Sequence, residues 1–336
     1  MVERVDISCA FATSVDTPDH IALAERLGYR RAWCYDSPAL YPDVWMILAL
    51  AAARTSTIEL GPAVLVPSLR HPMVNAAAIA TLAAQAPGRT NVALGAGFTG
   101  RMVLGQRPMR WDDVAVYVRV LRALLAGDEA QWEGRTIRML QPEGYGAARP
   151  VRVPILIGAD GPRGLAVAAE VGDGVFSAAV PQTGGSEALV WRALLAFGTV
   201  LDDGESAGSS RVRAAAGHAL AVAFHAIYER GGAAAVDGFP GGRSWRDATE
   251  AVPEASRHLA LHEGHLIAPN PRDVLALDEA SGLLPSLTLT GTPEELRQRL
   301  YGFEAAGVTE IAYQPAGPDI SRELRAFADM AGVTPL

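Results

Sequence analysis

A chain of 336 residues, 49% hydrophobic and 20% charged, carries enough apolar side chain for a substantial core, which excludes a disordered protein. Its formal charge of −8 argues against general affinity for nucleic acid or an anionic membrane, since both depend on basic patches. Lysine is absent and all 29 basic residues are arginine, so Schiff-base and P-loop lysine chemistry is excluded outright. The length fits one large α/β barrel with insertions as readily as two average domains. Cys9 and Cys34, each inside a predicted strand, read as buried thiols of a reducing compartment. The N-terminus has no basic segment followed by an apolar one, and the longest apolar run, Val44 to Ala53, is about half of what a bilayer requires. The expectation is a cytoplasmic protein with no membrane and no nucleic-acid partner.

Taken in order, short apolar runs alternate with helical stretches. Val5 to Ala10 predicts a strand, and Asp16 or Thr17 caps a helix from Pro18 to Leu27 that stops at Gly28. Arg31 to Tyr35 is a second strand, closing in Asp36-Ser37-Pro38. A helix from about Pro42 to Arg54 leads to a third strand, Ile58 to Val66, and a helix from Met73 to Ala86 leads to a fourth, Asn91 to Ala96. A Gly/Arg-rich loop from Gly97 to Trp111 follows. Val114, Val118, Leu121 and Leu125 then mark an amphipathic helix from Asp112 to Ala126. Gln131 to Met139 alternates around Glu133-Gly134 as a hairpin insertion. Val153 to Ile157 and Gly174 to Ser177 are the fifth and sixth strands, separated by a turn from Gly158 to Gly164 and a helix ending at Val171.

Residues 181 to 285 read as a helical insertion, with helices expected at Glu187 to Leu201, His218 to Arg230 and Trp245 to His262. The seventh strand has two candidate positions, Arg211 to Ala215 and Ser286 to Leu289. Thr292-Pro293-Glu294-Glu295 is a strong helix start, and helix Glu294 to Ala306, strand Glu310 to Gln314 and helix Asp319 to Ala331 close the chain. Eight βα units with a late insertion fit a TIM barrel, one domain over residues 1–336, better than an open sheet. A barrel puts its functional groups on the rim at the C-terminal ends of the strands.

Several residues fall at that rim. Gly95-x-Gly97-x-x-Gly100 follows a strand, but a dinucleotide fingerprint needs a helix opening directly on the glycines, and Arg101 to Pro108 reads as loop. Gly158 to Gly164, with Asp160, Gly161 and Arg163, is either an anion site at a helix N-terminus or a plain turn. Arg70 is a candidate anion or ring contact, and His71 a candidate acid or a structural residue. Asp36 either assists proton transfer or caps its turn with Ser37. His258, His262 and His265 with Glu263 raise a metal question, but the pattern of a zinc protease is absent.

Asp36, Asp43-Val44-Trp45-Met46, Leu60-Gly61-Pro62, Arg70-His71-Pro72, Pro87-Gly88-Arg89 and Gly95-Ala96-Gly97, with weaker agreement at Pro154 to Gly161, Gly172-Asp173-Gly174 and Gly291-Thr292-Pro293, resemble the luciferase-like superfamily of flavin- and deazaflavin-dependent oxidoreductases. The methylenetetrahydromethanopterin reductase branch is the nearest likeness. The resemblance implies a TIM barrel with a flavin, or the deazaflavin coenzyme F420, lying across its mouth. It also implies a non-proline cis peptide at about Ala63-Val64 against one ring face. Gly95, Gly97 and Thr99 would border the ring, and Gly158, Gly161, Arg163 and Ser177 its phosphate. Many deazaflavin-dependent relatives carry Asp-His where this chain has Asp36-Ser37. The leading expectation is F420-dependent hydride transfer to or from a small organic substrate, with Asp36 or His71 handling the proton. The alternatives are an FMN-dependent monooxygenase using reduced flavin and O₂, with a separate reductase as partner, and a non-catalytic ligand-binding barrel. A homodimer is expected, and no metal.

Overall fold

Short runs buried on both faces satisfy their backbone by parallel pairing beneath a helical layer. The computed structural model, which describes residues 5–179 and 189–334, joins eight such strands in one sheet. They are β1 (Asp6–Phe11), β2 (Arg31–Cys34), β3 (Glu59–Pro62), β4 (Val92–Gly95), β5 (Ile155–Gly158), β6 (Gly174–Ser177), β7 (Trp191–Phe197) and β8 (Glu310–Gln314). Every pairing is parallel, with β1 between β2 and β8. The two edge strands of this order, β3 and β4, meet through parallel bridges from Leu60 to Thr90 and from Leu65 to Leu94, which closes a TIM barrel. Cys9 and Cys34 are buried free thiols on neighbouring strands. Among the described residues no helix is long and apolar enough to cross a membrane.

Helices α1 (Thr17–Leu27), α2 (Val44–Ala52) and α3 (Pro72–Gln85) form where they were expected. The loop after β4 differs, because it contains a short helix, α4 (Phe98–Met102), ahead of α5 (Trp111–Ala126). The hairpin pairs Ala130–Trp132 with Arg135–Ile137, and α6 (Pro162–Val171) follows β5. Thr292 and Glu295 form the expected capping box.

The largest correction concerns the seventh strand. Alanine and leucine favour a helix over Glu187 to Leu201, yet Trp191–Phe197 is β7, because a slot between β6 and β8 outweighs local propensity. Both positions offered for that strand lie elsewhere: Arg211 to Ala215 is inside α7 (Ser210–Gly231), and Ser286 belongs to the short helix Leu284–Leu287. Residues 180–188, including Gly184-Gly185 and the start of the expected helix, lie outside the described residues. The helix expected from Trp245 to His262 is two, Gly242–Glu250 and Glu254–His262, parted at Pro253. The helical segment therefore begins after β7, and packs around its own core of Val212, Leu220, Phe224, Trp245 and Leu277.

Arg211 fastens the start of α7 to the barrel. Its Nη1 donates to Glu323 Oε1 and to Thr199 Oγ1, both at 3.0 Å, and it pairs with Glu205. The hydrogen bonds from Arg211 pull the Glu205 carboxyl down to about 2. A carboxyl depressed on folding stabilises above its unfolded value and loses that contribution as pH falls toward its folded value. Urea melts are therefore expected to weaken from about pH 4.5 toward pH 2, with a shallower decline in Glu205→Gln; equal declines would remove Glu205 from the acid response.

Candidate active site

Strand β3 ends at Pro62, and the next peptide, Ala63-Val64, is cis as the family resemblance implied. Leu65 then rejoins β4, its N–H donating to Ala93 O at 2.7 Å and its carbonyl accepting from Gly95 N–H at 3.0 Å. The bulge pushes Val64 over the ends of β4 and β5. A β-carbon on Gly158 would stand 2.5 Å from Val64 Cγ1, and one on Gly95 2.9 Å from Val64 Cγ2. Gly97, at φ +78°, is similarly close to Val66 Cγ1. These glycines make room for the bulge itself, and only through it for anything resting above.

Asp36 and Arg70 come together directly. The Arg70 Nη1 donates to both carboxylate oxygens of Asp36 at 2.7 Å, and Nη2 donates to Asp43 Oδ2 at 2.8 Å. Asp43 also caps α2 by accepting from the N–H groups of Trp45 and Met46. Val66 N–H reaches Asp36 Oδ2 at 3.3 Å, so the same carboxylate steadies the chain just past the cis peptide. Burial raises the Asp36 carboxyl above its usual range, against the opposing pull of Arg70. The Arg70 carbonyl accepts from Tyr117 Oη at 2.9 Å, and Asn75 Nδ2 donates to that hydroxyl at 2.8 Å. The Arg70 charge is thus engaged by two carboxylates, and its guanidinium works as a strut.

His71 is exposed, and its Nδ1 caps α3 by accepting from Met73 N–H at 3.1 Å. Its ring stands edge-on to Trp132 of the hairpin, 5.9 Å between centroids. Only Nε2 is left for any proton. His71→Ala is expected to cost about 1 kcal/mol through the lost cap and to change kcat less than about threefold; a fall of about a hundredfold or more would return the proton role to this ring.

Beyond β5 and β6, the backbone N–H groups of Ala178 and Ala179 donate to Asp160 Oδ1 at 2.8 and 3.1 Å. A carboxylate therefore already sits where an anion was expected. Ser177 Oγ is turned away, donating to Ala159 O at 2.8 Å. Gly161 has open space where a side chain would be, and Arg163 is exposed at the start of α6 with no ion pair among the described residues. Arg101 is engaged by Ser68 and by the Arg107 carbonyl.

The sequence reading missed the residues that cover the mouth. Leu266, in the turn after Glu254–His262, packs with the barrel-interior cluster that includes Tyr35, Ala63, Leu156 and Phe176. Its carbonyl accepts from Gln314 Nε2 at 2.8 Å, and Gln314 Oε1 accepts from Tyr35 Oη at 2.7 Å. The Tyr41 hydroxyl donates to the His265 carbonyl at 2.7 Å, and Thr99 Oγ1 lies 3.3 Å from His265 Nε2. Leu266 holds φ +59°, which a leucine rarely adopts. No local pattern marks such a turn, since its partners lie on distant strands. A cavity of about 590 Å³ lined by Arg122, Pro150, Ile155, Asp173 and Trp191 lies at the opposite end, where the strands begin. Barrel chemistry belongs at the strand C-termini, so the mouth and not this cavity is the candidate site.

A sequence profile of the luciferase-like monooxygenase family matches residues 12–310. The chain is 28% identical over 327 residues to 5,10-methylenetetrahydromethanopterin reductase of Archaeoglobus fulgidus, covering 91% of each chain. An F420-dependent secondary alcohol dehydrogenase, solved with an F420-acetone adduct, superposes with a TM-score of 0.67 at 17% identity over 97% of this chain and 98% of the other. The FMN-bound oxygenating constituent of 3,6-diketocamphane monooxygenase from Pseudomonas putida does so with a TM-score of 0.62 at 14% identity, over 99% and 98%. At those identities the likeness is one of fold.

Proposed function

The chain belongs to the luciferase-like monooxygenase family and is an oxidoreductase, and on that premise we propose that it transfers a hydride between coenzyme F420 and a small organic substrate. The observation that carries the proposal is the seating of Val64 on Gly95 and Gly158, at a mouth whose next loops already bind a carboxylate through backbone N–H groups. The full-length relative from Archaeoglobus fulgidus is a methylenetetrahydromethanopterin reductase, which supports reductive chemistry here.

The residues present fit a flat heterocycle with an acidic tail. Val64 offers an apolar platform at the strand ends. The N–H groups of Ala178 and Ala179 hold an anion once the Asp160 carboxylate gives way, and Gly161 leaves the backbone of that turn accessible beside exposed Arg163. When bound, the deazaflavin supplies two electrons as a hydride. Asp36 and Arg70 hold Val66 and the helix starts in register, which makes them positioning residues of this site. Leu266 and His265 exclude water from the barrel interior, and Leu266 must withdraw before a ring can rest on Val64. A homodimer is part of the same reading.

The second reading, an FMN-dependent monooxygenase supplied by a separate reductase, is favoured by one observation. Ser37 stands where many deazaflavin relatives carry histidine, and it is buried beside Gly100, with no imidazole to offer a cofactor. Fluorescence titration of the purified chain with each cofactor separates the two. Saturable F420 binding with weak or absent FMN binding supports the proposal, and tight FMN binding without an F420 response reverses it.

A further inference from the structure

The helical segment over the mouth contains a histidine cluster that hydride transfer does not use. His225 from α7, His262 at the end of Glu254–His262 and His265 in the next turn are 2%, 0% and 5% exposed. Each offers a ligand atom within 4.8 Å of those of the other two. The sequence grouped His262 and His265 with His258 and Glu263, but His258 lies against Gly105 and Glu263 pairs with Arg272 at 2.9 Å, and His225 takes their place.

The three imidazoles share one pattern. Each directs Nε2 outward to an oxygen: His225 to Asp273 Oδ1 at 3.0 Å, His262 toward Glu229 Oε1 at 3.2 Å though outside hydrogen-bond geometry, and His265 to Thr99 Oγ1 at 3.3 Å. The Nδ1 of all three is buried with no partner. The Asp273 carboxylate can only accept, so a neutral His225 donates from Nε2 and presents a lone pair at Nδ1. With the Nε2 of His262 and His265 also facing an oxygen, none of the three Nδ1 atoms has a partner among the described residues. Buried acceptors left this way are costly, and converging on a cation is the arrangement that removes the cost. Carboxylate oxygens behind the outer nitrogens are the usual supports of metal-bound histidine. Asp273 is itself fixed, accepting from Trp245 Nε1 at 2.9 Å and from Asn270 N–H at 3.0 Å.

We propose that His225, His262 and His265 bind one divalent transition-metal ion of the zinc class through their Nδ1 atoms, and that this ion pins the capping turn to the rest of the helical segment. Imidazole ligands suit zinc, copper, iron and nickel rather than calcium or magnesium. Metal–nitrogen bonds of about 2.0–2.1 Å require the nitrogens to close to roughly 3.4 Å from one another, a movement that side-chain rotation in the turn supplies. Through His265 the ion would be linked to Thr99 and, one residue on, to Leu266. The site stands whether or not the mouth binds F420.

The test uses the untagged full chain, stripped with a chelator and titrated with Co²⁺, then Zn²⁺. One equivalent of Co²⁺ should develop visible absorption of a low-coordinate nitrogen site, and Zn²⁺ should abolish it. His225→Asn and His262→Gln should each weaken uptake at least about a hundredfold, Asp273→Asn about ten- to a hundredfold, and His258→Asn should leave it unchanged. No stoichiometric uptake by the wild type, or equal uptake by the His225→Asn/His262→Gln double variant, overturns the proposal. Should those variants fail to fold by circular dichroism, X-ray absorption of the zinc-loaded wild type decides: imidazole scattering from three ligands supports the site, and fewer than three imidazoles refutes it.

Discussion

Arg70→Ala is expected to lower the stability of the fold by about 3–5 kcal/mol, the cost of stranding a buried charge. The side chain of Asp36 is 1% exposed and that of Arg70 12%, so the pair is shielded from solvent, unlike a surface salt bridge. Asp43 loses the same partner, and with it the tie between the cap of α2 and the chain after β3. Burial already raises the Asp36 carboxyl, and without the guanidinium nothing strong opposes that rise. A carboxyl whose folded value lies above its unfolded one contributes most below the unfolded value and loses stability as pH climbs through the folded value. The variant should therefore lose ground against wild type as pH rises from about 4. Urea denaturation across that range reads the effect, and Asp36→Asn/Arg70→Met should recover most of it. A loss below about 1 kcal/mol, the scale of an exposed pair, would show that the strut matters little.

Gly158→Ala should weaken cofactor binding at least about tenfold, equivalent to about 1.4 kcal/mol. The added methyl would sit 2.5 Å from Val64 Cγ1, so either the strand end or the bulge must move. Both support the platform on which the ring is proposed to rest. Truncating the other partner relieves the clash, so Val64→Ala in the same chain should restore part of the affinity. The expected signature is a coupling of about 0.5–3 kcal/mol in a double-mutant cycle. Strictly additive effects would mean that Gly158 and Val64 do not form one surface.

Local signals carried the fold a long way. The strand Glu310–Gln314 was bounded to the residue because Gly307 and Pro315 punctuate it, and the Thr292 capping box was readable because three residues suffice to build it. Strand β7 was misread for the opposite reason. Trp191–Phe197 is apolar except for Arg192, and periodicity does not tell such a run from a buried helix. At the site, the sequence placed Asp36, Gly95, Gly97 and Gly158 at or just past strand ends, where they are, whereas Arg70 stands farther on, just ahead of α3, and Thr99 lies inside α4. It did not show that Asp36 consumes the Arg70 charge, or that Asp160 fills the amide cradle, because pairing depends on loops from different strands. Leu266 and His225 were invisible for the same reason. Their significance arises only when a helical segment after β7 folds back over the rim.

The central claim is that the bulge at Val64 is the floor of the cofactor site. A crystal structure of the chain soaked with F420 tests it most directly. The tricyclic ring should lie on Val64 with Leu266 displaced from the barrel interior, and the acidic tail should replace the Asp160 carboxylate at the Ala178 and Ala179 amides. Density for the ring in the cavity beside Trp191, or anywhere else while Leu266 stays in place, would contradict it.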